Sequence, residues 1–290
     1  MSRFPLPGAG RVAVAVPAPG AGPESWAGAP SATLDADGNV VVAYRVRVTA
    51  DGIARTVVAR SSDGERLRTV ATLDRARFGA FSLQRPALVR TGTGRWRLYV
   101  CCASGDWPES KHWWIEALEA DDPAGLADTE SRVVFPGDAR TAVKDPVIRR
   151  FDGRWHAWIC CHPLDERGAE DRMTTAYATS DDGLDWQWHG PALVGRPGRW
   201  DARGARVTAV LPDGRASYDG RASAAENFAE RTGLARRVGP RGQLVATADV
   251  PAAAVRYLDV LALPRGGYRL YYEAPLADGS HELRTELIEP

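Results

Sequence analysis

Five acidic side chains that could carry chemistry lie near the ends of β-rich segments in this sequence of 290 residues. These candidate catalytic residues are Asp145, Asp219, Glu226, Glu230 and Glu273. Two carboxyl groups in one pocket, one kept protonated by its surroundings and one ionised, can cleave a glycosidic bond. We expect Asp145 and Asp219 to be two members of such a set, with one of the three glutamates as the acid.

These carboxylates also have structural interpretations. Asp219 precedes Gly220 and can simply form a turn. Glu226 and Glu230 have the four-residue spacing of solvated neighbours on a short helix. Both interpretations stay open at the level of the sequence.

A second set of residues, rich in cations, is predicted to bind the substrate. The set is Trp26, Arg45, Arg85, Lys111, His112, Lys144, His162, Asp201, Arg203, Arg206, Arg221 and His281. Because a guanidinium binds a carboxylate or a phosphate through two parallel hydrogen bonds, the arginines favour a negatively charged substrate, such as a uronate, another acidic sugar or a phosphate. The alternative is that they pair with acidic residues inside the protein.

The composition is that of a globular protein without a strong overall charge. Hydrophobic residues make up 44% of the chain, and 37 basic residues balance 37 acidic ones. We therefore expect no nucleic-acid partner, and no segment approaches the roughly 20 apolar residues of a membrane span. A small carbohydrate or related polar molecule is the expected partner, and the oligomeric state stays open. The only lysines are Lys111 and Lys144.

The N-terminus and the cysteines favour a cytoplasmic protein. The apolar run at residues 12–16 ends at Pro17 and is too short for a secretion signal. The four cysteines form two vicinal pairs, at 101–102 and 160–161. Neighbouring side chains on a strand point to opposite faces, so we expect reduced cysteines. Their spacing does not indicate zinc, and no metal or cofactor is predicted.

A hairpin repeat runs through the chain. Residues 145–149 and 153–161 copy residues 85–89 and 94–102, and each copy is a strand, a glycine turn and a second strand. Three fainter copies complete the set. The turn glycines, which recur every 53 to 61 residues, are Gly38, Gly94, Gly153, Gly214 and Gly267. Further β-rich segments follow each hairpin, and four strands per unit are what a propeller blade requires.

The repeat predicts an all-β fold, a single five-bladed β-propeller with about four antiparallel strands per blade. The predicted blades are roughly residues 24–78, 79–138, 139–198, 199–250 and 251–290, with the N-terminal segment helping to close the ring. The site is expected at one end of the central axis. The alternative, a β-sandwich with two similar hairpins, does not explain regular spacing over the whole chain.

The sequence resembles the five-bladed propeller glycosidases, which include arabinanases, xylosidases, fructan hydrolases and mannoside phosphorylases. The resemblance covers essentially the whole chain. It rests on the hairpins, on the segment Ser-Asp-Asp-Gly-Leu-Asp-Trp at 180–186, and on Asp145-Pro146 at the start of the third blade.

The resemblance implies a base Asp in blade one, a pKa-tuning Asp opening blade three and an acid Glu opening blade four. Asp145 matches the tuning position, but residues 25–30 contain no Asp. Residues 200–204 contain Asp201 and Arg203 in place of the Glu. A structural central cation held by His281 is conceivable from the family, without a ligand cluster in this sequence to support it.

We therefore expect a glycoside hydrolase-like enzyme whose axial carboxylates are arranged atypically. One alternative is a glycoside phosphorylase, in which phosphate held by cations replaces the attacking water. Another is a propeller that binds a sugar without cleaving it or that serves specialised metabolism, which the missing blade-one Asp favours.

Overall fold

The computed structural model describes residues 3–105, 112–239 and 241–290 and is a five-bladed β-propeller, which confirms the predicted fold class. The inner strands of the blades contact one another in cyclic order around the axis. The two-layer sandwich is thereby excluded.

The blades are antiparallel sheets formed by consecutive strands. Blade one contains β2 (Ser25–Leu34), β3 (Val40–Val48), β4 (Ile53–Ser61) and β5 (Arg68–Asp74). Blade two contains β6 (Ser82–Leu83), β7 (Ala87–Arg90), β8 (Trp96–Ala103), β9 (Trp113–Ala120) and β10 (Ser131–Phe135), with β6 and β7 as two parts of the inner strand. Blade three contains β11 (Thr141–Phe151), β12 (Arg154–Pro163), β13 (Thr174–Ser180) and β14 (Gln187–Leu193).

The remaining strands form blades four and five. Blade four contains β15 (Gly204–Val210), β16 (Arg215–Arg221), β17 (Arg231–Val238) and β18 (Gln243–Ala246). Blade five contains β19 (Arg256–Ala262), β20 (Tyr268–Pro275) and β21 (His281–Ile288), with β1 (Arg11–Val16) paired antiparallel to β21 as its outer strand. A single parallel pair, Trp26 with His281, links blades one and five.

The helical content of the described residues consists of short 3-10 turns at Arg75–Phe78, Pro123–Ala127 and Ala224–Glu226. Within those residues, no helix is long and apolar enough to cross a membrane.

The hydrophobic core lies between neighbouring blades, in five clusters. The tryptophans that recur in the repeat belong to three of them: Trp96, Trp155 and Trp158. The fifth cluster packs Tyr271 and Leu283 of blade five against Val42 and Ala59 of blade one. Because this last interface joins the two ends of the blade sequence, the hydrophobic core closes the ring.

The hairpin turns form as the glycine spacing predicts. All five turn glycines have φ between 74° and 84°, a left-handed backbone that only glycine adopts without a steric cost.

Candidate functional site

A bulge in the inner strands places side chains at the axis. The register of β2, β11 and β19 shifts after Gly28, Lys144 and Arg256, respectively. The next residues, Ala29, Asp145 and Tyr257, have φ of 50° to 52°, which costs a non-glycine residue about 1 kcal/mol or more. Such strain is concentrated at functional sites. Because Ala29 and Asp145 follow the same register shift in their strands, Ala29 is the blade-one counterpart of Asp145. Its side chain has no carboxylate.

A cavity of about 460 Å³ opens at the N-terminal ends of the inner strands, and we call it the axial cavity. The predicted site residues that line it are Trp26, Arg45, Lys144, His162, Arg206, Arg221 and Glu230. Lining residues outside our predicted site set include Arg47, Phe81, Gln84, Trp113, Asp171, Phe228, Arg256 and Tyr257. A second cavity of about 300 Å³ lies at the other ends of the inner strands.

Asp145 lies fully buried beneath the axial cavity. Its carboxylate accepts hydrogen bonds from the backbone N–H of Arg85 (3.1 Å), from Nη1 of Arg206 (3.1 Å) and from the hydroxyl of Tyr257 (3.2 Å). Burial alone would raise the pKa of Asp145, but Lys144, Arg206 and other nearby cations lower the pKa below its usual value. Asp145 is therefore held as a carboxylate.

Asp219 forms the other half of a carboxylate pair around Arg206. It accepts a hydrogen bond from Nη2 of Arg206 (2.7 Å) and from the backbone N–H of Tyr257 (3.0 Å). Burial raises the pKa of Asp219 against the opposing effect of Arg206. Because Asp219 is fully buried and absent from the cavity lining, it does not contact a ligand bound in the cavity.

Glu273 is fully buried between three cationic or ionisable partners. Its carboxylate lies 3.1 Å from Nη2 of Arg45, 2.6 Å from Nη1 of Arg256 and 2.7 Å from Nδ1 of His281. Burial opposes ionisation, yet the charges of Arg256 and Arg45 hold the pKa of Glu273 well below its usual range. Gly28 leaves room for this carboxylate, because a Cβ at that position would overlap it.

Glu230 is the predicted glutamate that reaches the axial cavity. Its carboxylate pairs with Nη1 of Arg221 at 2.9 Å and with Nε of Arg256 at 2.7 Å. Burial opposes ionisation, but Arg256 and further arginines lower the pKa of Glu230 to about 2. Glu226 instead pairs with Arg231 at 3.1 Å outside the cavity, at the end of a single 3-10 turn.

Three cations with different surroundings line the axial cavity. Arg45 stacks over the rings of Trp26 and Tyr257 and donates from Nη1 to Gln84 and from Nη2 to Glu273. Arg47 donates from Nε to the hydroxyl of Thr49 at 3.0 Å. Lys144 is the third, and its ammonium lies over the ring of Trp113. Their positive charges suit an anionic ligand.

Aromatic rings surround the mouth of the axial cavity. Phe81 and Phe228 are 58% and 41% exposed, and Phe228 lies 4.9 Å from the buried Trp26. Trp113 contacts His162 edge-on, and Nδ1 of His162 lies 2.7 Å from the backbone oxygen of Glu170. Such exposed rings next to polar groups suit stacking against a sugar ring.

Several predicted binding residues do not line the axial cavity. Asp201 accepts a hydrogen bond from Tyr218, and Arg203 pairs with Asp171 at 2.6 Å. His112 is exposed and stacks on Trp114. The prediction for Lys111 falls outside the described residues.

Two further predicted residues lie beneath the axial cavity. Arg85 is buried in the hub, where it donates to the backbone oxygens of Pro30 (3.0 Å) and Thr208 (2.9 Å). His281 stacks under Trp26. No group of three His, Cys, Asp or Glu side chains within the described parts of the chain is arranged to hold a metal ion.

Arg256 and Tyr257 are the main site residues that our sequence prediction missed. They occupy in β19 the register that Lys144 and Asp145 occupy in β11. Aligning the inner strands of the repeat would have found them. Arg47, Phe81 and Phe228 lie outside the repeated positions, so no sequence signal pointed to them.

Several solved structures share this architecture. One comes from work on the GH130 family of mannoside phosphorylases, which contains glycoside hydrolases that target β-1,2 mannosidic linkages in Candida mannan. It is 16% identical over 99% of this chain and 98% of that chain, with a TM-score of 0.65. A β-1,2-mannobiose phosphorylase from Listeria innocua is 14% identical over 99% and 93%, with a TM-score of 0.62. A thermostable family-43 glycoside hydrolase is 14% identical over 90% and 89%, with a TM-score of 0.66.

No protein-family profile matches the sequence, and no curated protein matches it. The structural similarity confirms the resemblance in fold to propeller glycosidases and phosphorylases. At these identities it extends to the fold alone.

Proposed function

We propose that the protein is a glycoside-processing enzyme that acts on a carbohydrate bearing a negative charge, bound in the axial cavity. The observation that carries the proposal is the set of three cations, Arg45, Arg47 and Lys144, that line one cavity with exposed aromatic rings at its mouth. An acidic sugar has a ring face for stacking and an anion for the guanidinium groups. The structural neighbours named above add weight to a sugar ligand.

The ionisation states of the carboxylates determine which hydrolytic mechanism this site supports. Asp145 stays ionised because Lys144 and arginines surround it, and Glu230 because arginines do. Both carboxylates are suited to stabilise positive charge that develops on a sugar ring during cleavage, and poorly suited to donate a proton. The enzyme would therefore depart from the usual pairing of one protonated and one ionised carboxyl group.

Phosphorolysis is the second candidate, and Ala29 is the observation that favours it. The blade-one position has no carboxylate to activate water. Phosphate brings its own nucleophilic oxygen, and the positive charges of Arg45 and Arg47 complement its negative charge.

The first prediction concerns ligand charge. We expect glucuronate and galacturonate to bind at least about tenfold more tightly than glucose and galactose, because a hydrogen bond to a charged group contributes roughly 1.5–3 kcal/mol. Isothermal titration calorimetry measures this difference. Arg47→Gln should reduce it, since this variant removes a cavity charge without breaking a buried ion pair.

Arg154→Gln is the matched control, because Arg154 pairs with Asp181 at an exposed hairpin turn far from the axial cavity. Equal affinity for neutral and acidic sugars would refute the anionic ligand.

Activity assays distinguish hydrolysis from phosphorolysis. They use aryl glucuronides with and without phosphate, on the wild type and on Asp145→Asn. Turnover that requires phosphate supports phosphorolysis. Binding without turnover in any condition refutes the proposed enzymatic activity.

A further inference from the structure

Lys144 is the only lysine among the described residues, and its side chain lines the axial cavity. The residue is 8% exposed. Its Nζ lies 4.2 Å from the ring centroid of Trp113 and 3.8 Å from Oδ2 of Asp145. Within the described ranges Nζ forms no hydrogen bond, and 10% of the side chain is exposed, on the wall of the cavity.

Four charged or titratable groups, on β11, β12, β15 and just before β17, influence the pKa of Lys144. Burial, the largest influence, lowers the pKa of Lys144, and Arg206 on β15 lowers it further. Asp145 beside it, Cys160 on β12 and Glu230 act in the opposite direction. The net result is a pKa below the usual lysine value, so more of the amine is neutral near pH 7.

The other strong cations of the axial cavity, as far as the chain is described, are arginines. A guanidinium remains protonated in proteins and has no lone pair to offer. A lysine amine can lose its proton and then act as a nucleophile towards a carbonyl group. Lys144 thus differs in chemistry from the arginines around it, in a chain whose basic residues are almost all arginine.

We propose that Lys144 is a nucleophilic amine that condenses with the aldehyde of an open-chain sugar in the axial cavity. Its lone pair forms a C–N bond with the carbonyl carbon, and one amine proton passes to the former carbonyl oxygen. Uptake of one proton from solvent and loss of water then give a protonated imine. The carboxylate of Asp145, 3.8 Å away, is placed to stabilise that positive charge. The acidic nature of the sugar rests on the proposed function, whereas the reactivity of the amine does not.

Reductive trapping tests the inference on the full chain. The protein is incubated at pH 7 with glyoxylate, an anionic aldehyde, or with neutral glycolaldehyde, and sodium cyanoborohydride reduces any imine to a stable secondary amine. Peptide mass spectrometry locates the adduct. We expect Lys144 to react faster than free Nα-acetyllysine, because burial lowers the pKa of Lys144 and leaves more of its amine neutral at pH 7. The rate should also level off at a lower pH than the rate for the free amino acid.

Two variants serve as controls. Lys144→Arg keeps the charge and should lose the adduct, while Arg47→Gln should slow the reaction of glyoxylate more than that of glycolaldehyde. If Lys144 of the wild type reacts no faster than Nα-acetyllysine, the inference is overturned, even when acidic sugars bind. If both aldehydes react fast but acidic sugars do not bind preferentially, the nucleophilic role of Lys144 is supported and the proposal of an anionic ligand is refuted.

Discussion

The buried carboxylates at the axis are each held by guanidinium groups. Glu273 shows the arrangement most clearly, since it pairs with Arg45 and Arg256 and all three side chains are almost fully buried. When a buried charge loses its partner, no water is available to solvate the remaining charge. The ion pairs of this site therefore act as a unit.

Glu273→Gln tests this coupling at the scale of one residue. The substitution removes one negative charge and leaves two buried guanidinium groups without their shared partner. We expect the free energy of unfolding to fall by about 3 kcal/mol or more, measured by urea denaturation at pH 7.

Asp181→Asn provides the comparison for an exposed pair. Asp181 is 88% exposed and pairs with Arg154, so its loss should lower the free energy of unfolding by less than about 1 kcal/mol. Similar losses in the two variants would show that the axial pairs are not coupled by burial.

At the scale of elements, the position of β2 depends on Gly28. This strand passes so close to the carboxylate of Glu273 on β20 that a Cβ at position 28 would overlap it. The backbone of Gly28 is outside the left-handed region, so space alone, and not conformation, selects glycine there.

Gly28→Ala should therefore lower the free energy of unfolding by about 2 kcal/mol, as overpacking does in a dense interior. Thermal and urea denaturation measure the change. Gly125→Ala is the matched control, because the nearest atom to its added Cβ is the Cβ of Ala120 at an ordinary 3.4 Å. An equal effect of the two substitutions would contradict the steric argument.

At the scale of the whole molecule, β1 and Arg85 connect distant parts of the ring. Strand β1 covers the outer edge of blade five, and the backbone N–H of Gly10 donates to Glu286 at 2.5 Å. In the hub, Arg85 of blade two bonds backbone oxygens of blades one and four. The inner ring and the outer edge are thus both joined by contacts far apart in the sequence.

A chain that begins at Pro17 would expose the edge of β21. We expect its melting temperature to fall by roughly 5–10 °C and its association to increase with concentration, because an unpaired edge strand recruits other chains. Calorimetry and light scattering measure these effects. A control with Val12→Thr and Val14→Thr keeps the backbone pairing of β1 and changes only exposed side chains. A truncated chain as stable as this control would show that β1 does not support the ring.

The sequence by itself determined the all-β propeller, because the five hairpins carry the same glycine turn and the same alternation of apolar residues. Local rules were enough there: each turn needs a glycine at positive φ, and each strand needs alternating faces. The same repeat predicts Asp145, Lys144 and Arg206 at one end of the axis, where Lys144 and Arg206 line the axial cavity and Asp145 lies beneath it.

Only the tertiary structure decided which charges meet and which face a ligand. Asp219 lies beneath Arg206 and Glu226 lies outside the cavity, although the sequence presents both as equal candidates. Arg256 and Tyr257 arrive at the site from blade five, more than a hundred residues after Asp145 along the chain. Ion pairing between blades depends on radial geometry, which residue types and spacing do not specify, and this is why the carboxylate assignments required the folded chain.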